Sequence, residues 1–255
     1  MKKHFIMSLC LMAMLISFSS CKQAEKEQPQ YIVDVQAHRG GMGLRPANTL
    51  EAMKNAVDLG VNTLEIDIVV TKDKKVIMSH DKYFTAEETT YPNGTPMKKE
   101  DPRVYMWKLT YEEIAKYDVG MRQHPNFPEQ KTIPAIRPLL SDVLTFIENY
   151  TKEKGMAPMK YNIEIKADPD WNGGIEGQDW PVYNEMVDIC LDVILPFNLG
   201  DRLIIQTFDE RAMAYMNEKY PDLHLSYLVG GGEVHWLENK EMDFDTILGN
   251  IGFVP

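Results

Sequence analysis

Cysteine is scarce in this chain: three in 255 residues, at positions 10, 21 and 190. Cys10 lies inside a leading apolar run and Cys21 at its end, so no disulfide framework staples the folded part. Cys190 sits in the apolar stretch MVDICLDVIL and reads as a small core residue on a helix. Positive charge is short as well, with 27 lysines and arginines against 38 acidic residues and a net charge of −11. Such a chain repels polyanions, so nucleic acid is not the expected partner. An anionic substrate would have to be held by a local cluster of cations or by a metal ion. Long apolar runs are limited to one, from Phe5 to Phe18, which is shorter than the about 20 residues a transmembrane helix needs. Lys2 and Lys3 precede it and Ser19-Ser20-Cys21 end it, the layout of a secretory signal peptide over residues 1–20. Small residues before a cysteine resemble the lipobox of bacterial lipoproteins, with Phe18 where leucine is commoner. The expectation is export, with lipidated Cys21 as the only membrane attachment, on the periplasmic or cell-surface side of a bacterial membrane.

What the chain does have is alternation. Residues 22–30, KQAEKEQPQ, are polar and aperiodic and read as a flexible tether, so the folded domain is expected over 31–255. Strand patterns fall at 31–37, 63–70, 161–165, 203–207, 225–229 and 250–254. Helical patterns fall between them. In the first, Asn48 is the expected cap, with Glu51 three residues on as in a capping box and Gly60 closing the helix. Later helices are expected at 142–150, 183–195 and 210–219. Strand, helix, strand repeated in this way predicts an α/β fold with a parallel sheet, a (β/α)8 TIM barrel at this length. Residues 82–132, with YPNGTP, EDPR and HPNFPEQ, have no clean period and read as a small insertion after the second-strand hairpin. Six parallel strands are counted where a barrel needs about eight. Either the last two βα units are missing from this chain, or the sheet is open and its edge is covered by something else.

The charged residues sit where strands end. In Leu64-Glu65-Ile66-Asp67-Ile68 the alternation of side chains puts Glu65 and Asp67 on one face. A parallel barrel strand is covered on both sides, so such a pair belongs at the C-terminal mouth, where like charges call for a cation. Oxygen ligands suit a hard ion, Ca²⁺ or Mg²⁺. The segment after it reads as a β-hairpin; a two-residue turn at Asp73-Lys74 sets Asp67 opposite His80, whereas a longer loop shifts that register. His38 and Arg39 follow the first strand, with Gly40, Gly41 and Gly43 behind them, a place where α/β proteins approach phosphate. Glu164 and Lys166 share a face at the end of another strand. Two histidines beside a cation and phosphate site suit general acid and base catalysis of phosphoryl transfer.

AHRGG, NTLEA, LEIDIVVTKDKKVIMSHD and NIEIK, in that order, resemble the bacterial glycerophosphodiester phosphodiesterases, which are TIM barrels dependent on a divalent metal. Weaker similarity continues through IRPLLSDVL, LIIQTFD and LSYLV to IGFVP, about residues 35–255. The resemblance implies His38 and His80 as the acid and base pair. It implies Glu65, Asp67 and Glu164 as ligands of one Ca²⁺ or Mg²⁺, and Arg39 and Lys166 as the phosphate clamp. It implies hydrolysis of a glycerophosphodiester to glycerol 3-phosphate and an alcohol, by attack of the adjacent glycerol hydroxyl through a cyclic phosphate. The chain departs from the family at Ala47, where glutamate is usual before Asn-Thr, and lacks the family's final Trp-Thr-Val-Asn and Asp-Tyr-Pro segments. Two other readings remain: a lipoprotein that binds a phosphodiester with impaired turnover, and action on lysophospholipids with Trp107, Trp171 and Trp180 lining an apolar groove.

Overall fold

The computed structural model describes residues 33–167 and 182–229. The expected signal, the tether, Trp171, Trp180 and the strand expected at 250–254 lie outside the described residues. Strands β1 (Gln36–Ala37), β2 (Thr63–Val70), β3 (Val76–Met78), β4 (Lys160–Ile165), β5 (Leu203–Thr207) and β6 (His224–Tyr227) form one sheet. Its order is β1-β2-β4-β5-β6, all parallel, with β3 antiparallel to the C-terminal end of β2. Helices α1 (Leu50–Asp58), α2 (Tyr111–Ile114), α3 (Leu140–Glu153), α4 (Tyr183–Ile194) and α5 (Glu210–Lys219) lie between the strands. This is the expected α/β layout of parallel strands with helical crossovers.

Every residue of β2 is buried, which is how a parallel strand covered on both faces behaves. Leu64, Ile66 and Ile68 share one core with Met53 and Val57 of α1 and with Val143, Leu144 and Ile147 of α3. Each such side chain contributes about 1.5–3 kcal/mol on burial. On α3 the buried set Leu140, Val143, Leu144, Ile147 and Thr151 follows helical spacing and turns one stripe to the sheet. Cys190 on α4 is fully buried, as expected, and burial pushes its thiol pKa upward. Among the described residues no helix is long and apolar enough to cross a membrane.

One local expectation is overturned, and one left open is decided. The cap of α1 is Thr49, whose hydroxyl accepts from Ala52 N at 3.2 Å, not Asn48, and Glu51 therefore stands one position too early for a capping box. The hairpin pairs Ile68 with Met78 and Val70 with Val76, and Thr71 N donates to Lys75 O at 2.9 Å, leaving a three-residue loop of Lys72, Asp73 and Lys74. A two-residue turn favours positive φ at both central residues; this loop needs it only at Lys74, where φ is 56°. The longer loop shifts the register, so Ser79 takes the place expected for His80, its N–H donating to Asp67 O at 3.0 Å.

The insertion is ordered rather than a bare excursion. A capping box at Thr110 and Glu113 starts α2, and Phe84, Met97, Met106, Trp107, Ile114 and Val119 join the same core as the sheet. It contributes no strand to the parallel set among the described residues. Trp107 is buried, which removes it from any apolar groove at the surface.

Candidate active site

Strand register places the acidic groups. Asp67, Glu164 and Gln206 are laterally paired across β2, β4 and β5, and Glu65 pairs with Asn162 one layer below. Neighbours in a parallel sheet project to the same face. One face is thus polar over two layers, while the opposite side chains, Leu64, Ile66, Ile163, Ile165 and Ile205, pack in the core. Oxygens of Glu65, Asp67 and Glu164 all lie within 4.8 Å of one another, and all three residues are buried.

The turn after β1 closes over this cluster. Arg39 adopts a left-handed backbone, φ 52°, and its N–H donates to Glu65 Oε2 at 2.7 Å while its Nε lies 3.2 Å from Asp67 Oδ2. A residue held at positive φ costs of order 1 kcal/mol, and here the charge-assisted bond offsets it. Gly40 follows at φ 77°, and a Cβ there would meet Ala52 Cβ at 2.8 Å, so the turn packs against α1 only as glycine. Asn48, fully buried at φ 53°, holds Asp67 twice: Nδ2 donates to Oδ2 at 2.8 Å and Oδ1 accepts from the Asp67 N–H at 3.1 Å. From the far side, Gln206 Nε2 donates to Glu65 Oε1 at 3.1 Å. Lys166 Nζ donates to Glu164 Oε1 at 2.6 Å and stands 3.7 Å from Asp67 Oδ1.

Burial, reinforced by the charge of Asp67, pushes the Glu65 pKa up to about 8. Burial also raises Glu164, against the opposing pull of Lys166. The donor set fits a hard divalent cation: three carboxylates converge, and Arg39 and Lys166 leave one negative charge over. Burial lowers the His38 pKa, and the charges of Arg39, His80 and Lys166 lower it further against the pull of Asp67. Asp81 Oδ2 lies 3.4 Å from His80 Nδ1. Burial raises the Asp81 carboxyl, but His80, Arg137 and Arg39 together hold it below its ordinary range.

A cleft of about 250 Å³ opens beside the carboxylates. Arg39, Asn48 and His80 form its inner wall; Thr85, Glu87, Glu88, His124 and Asn126 of the insertion form the outer one. Ala47 lines it too, with its carbonyl accepting from Arg137 Nη1 at 2.8 Å, and Arg137 Nη2 pairs with Glu88. Gln130 Nε2 donates to the carbonyls of Met42 and Arg45, at 2.7 and 3.1 Å. The loop is therefore ordered despite the alanine at position 47.

Of the seven expected residues, His38 and Arg39 follow β1, Glu65 and Asp67 lie within β2, Glu164 and Lys166 stand at the C-terminal end of β4, and His80 is on the segment after β3. Asn48, Gln206, Asp81 and Arg137 were not anticipated. Gln206 carried a signal, a polar residue at the end of the apolar run LIIQT; Asn48 carried one too, since asparagine tolerates positive φ.

The glycerophosphoryl diester phosphodiesterase family model matches residues 38–247. A glycerophosphodiester phosphodiesterase of Caldanaerobacter subterraneus subsp. tengcongensis is 29% identical over 198 residues, covering 78% of this chain and 67% of that protein. A Bacillus subtilis relative is 28% identical over 73% of this chain and 62% of its own length. The chain thus spans about two thirds of the length of these relatives. A solved Silicibacter pomeroyi structure of this family shares the fold with a TM-score of 0.71 at 24% identity, over 86% of this chain and 72% of that one. An Oleispira antarctica phosphodiesterase solved with sn-glycerol-3-phosphate does so at 0.56 and 20% identity, over 81% and 70%. With most of its length matched, this chain belongs to the glycerophosphoryl diester phosphodiesterase family.

Proposed function

We propose that the protein hydrolyses glycerophosphodiesters to glycerol 3-phosphate and an alcohol, with one Ca²⁺ or Mg²⁺ held by Glu65, Asp67 and Glu164. The observation that carries this reading is the convergence of three buried carboxylates within 4.8 Å, beside two histidines and two cationic side chains. When bound, a divalent ion supplies positive charge for the phosphoryl oxygens. Arg39 and Lys166 add theirs and orient the phosphate. His38, with its pKa lowered, is available as the base that takes the proton from the adjacent glycerol hydroxyl as it attacks phosphorus. His80, oriented by Asp81, gives a proton to the departing alcohol, and water then opens the cyclic phosphate with the two roles reversed. A glycerophosphodiester incubated with the purified protein should release glycerol 3-phosphate, read by coupled oxidation. Release by His80→Ala at the wild-type rate would rule out this assignment.

We also propose export and anchoring through Cys21, supported by the leader that precedes it. Cys21→Ser should move the protein from the membrane to the soluble fraction. An unchanged distribution would argue against the anchor.

A further inference from the structure

The cleft of about 250 Å³ carries information about the leaving group. Its volume, just below the roughly 300 Å³ at which drug-sized sites begin, is enough to seat a headgroup. Its outer wall belongs to the insertion. Apart from Met42 and Ala47 the lining is polar or charged, and among the described residues it holds no Phe, Tyr or Trp. Quaternary ammonium groups are recognised by aromatic faces, and among the described residues a choline finds no such face on this wall.

His124 gives the wall a defined donor. Its Nδ1 accepts from the backbone N–H of Asn126 at 3.2 Å, which leaves the ring proton on Nε2, and the ring stands against Phe127 with centroids 4.7 Å apart. Glu87 gives it an acceptor. That carboxylate is bonded by its own backbone N–H, pairs with exposed Lys99 at 3.2 Å, and lines the same wall of the cleft as His124. A donor and an acceptor on one wall of the cleft match a hydroxyl, which accepts and donates at once. A primary ammonium satisfies the carboxylate but not the imidazole N–H, and a quaternary ammonium, with neither an N–H nor a lone pair, hydrogen-bonds to neither.

Resting on the proposed function, we propose that His124 and Glu87 form a headgroup subsite that selects hydroxyl-bearing alcohols, so that polyol glycerophosphodiesters are the preferred substrates. The order of kcat/KM is glycerophosphoglycerol above glycerophosphoethanolamine above glycerophosphocholine. Two hydrogen bonds to the headgroup give about a tenfold or greater difference between the first and the last.

The test is kcat/KM for these three diesters with the full chain and divalent metal, for wild type, His124→Ala and His124→Gln, with melting curves to establish that each variant is folded. The expected result is the stated order in wild type, a polyol-to-choline ratio that falls toward one in His124→Ala, and a ratio largely kept in His124→Gln, which retains a donor. Equal turnover of all three diesters, a preference for choline, or a ratio unmoved by His124→Ala overturns the subsite while leaving the phosphodiesterase reading intact. Failure to cleave any of the three overturns both.

Discussion

Asn48→Ala tests how much of the site's order depends on one side chain. Asn48 and Asp67 are both essentially inaccessible to water, so the two bonds between them have no solvent substitute. Loss of the Nδ2 donor removes a bond to a carboxylate, about 1.5–3 kcal/mol, and loss of Oδ1 leaves a buried N–H without a partner, about 1–3 kcal/mol. Alanine at φ 53° adds about 1 kcal/mol of backbone strain. Together these come to about 3.5–7 kcal/mol, a large part of the 5–15 kcal/mol by which domains are stable, and at about 2–4 °C per kcal/mol the melting temperature should fall by roughly 7–28 °C. Asn48→Gly loses the same bonds without the steric strain of a Cβ and should melt above Asn48→Ala. Thermal unfolding followed by circular dichroism in chelator measures both. A loss below about 1 kcal/mol for Asn48→Ala, or Asn48→Gly melting lower than Asn48→Ala, would refute the reasoning.

Other outcomes follow from the same geometry. His80→Ala should lower kcat by about 10²–10⁴-fold while calorimetric Ca²⁺ or Mg²⁺ binding stays at the wild-type level; a parallel loss of metal binding contradicts its role. Glu65→Ala should weaken both binding and turnover. In metal-stripped protein the folded chain holds the Glu65 proton to about pH 8, whereas the unfolded chain releases it near 4.5. Between those values the folded state binds more protons, so raising the pH lowers stability, and Glu65→Gln should flatten that slope in denaturant midpoints. An identical slope in the variant rules this out. Gly40→Ala should destabilise by about 2–4 kcal/mol, since it combines a strained φ with a Cβ contact at 2.8 Å; a wild-type melting curve would contradict that.

The sequence made the sheet legible because β2 and β4 are covered on both faces and read as apolar runs, and their charged interruptions could belong only to strand ends. Period-two alternation puts Glu65 with Asp67, and Glu164 with Lys166, on one face. What it did not reveal is lateral. That Gln206 reaches Glu65 depends on register between strands far apart in the chain, which no local pattern encodes. Asparagine caps helices, which favours Asn48 in the sequence, but the neighbouring threonine serves equally well, and burial of Asn48 against Asp67 leaves the cap to Thr49. The hairpin register turned on a single residue, Lys74, whose positive φ made the three-residue loop possible. The insertion's contribution to the cleft is equally hidden, since His124 and Glu88 come to line it with Arg39 and Arg137 only through tertiary packing.

The central claim is that Glu65, Asp67 and Glu164 hold the ion on which phosphodiester hydrolysis depends. Its most direct test is ³¹P NMR of a glycerophosphodiester with protein stripped by chelator and then supplied with Ca²⁺ or Mg²⁺, in wild type and Glu164→Gln. The account expects the diester signal to persist without metal, to convert to a phosphomonoester when the ion returns to wild type, and to convert far more slowly in the variant. Conversion at full rate in chelator, or restoration in Glu164→Gln equal to wild type, would contradict it.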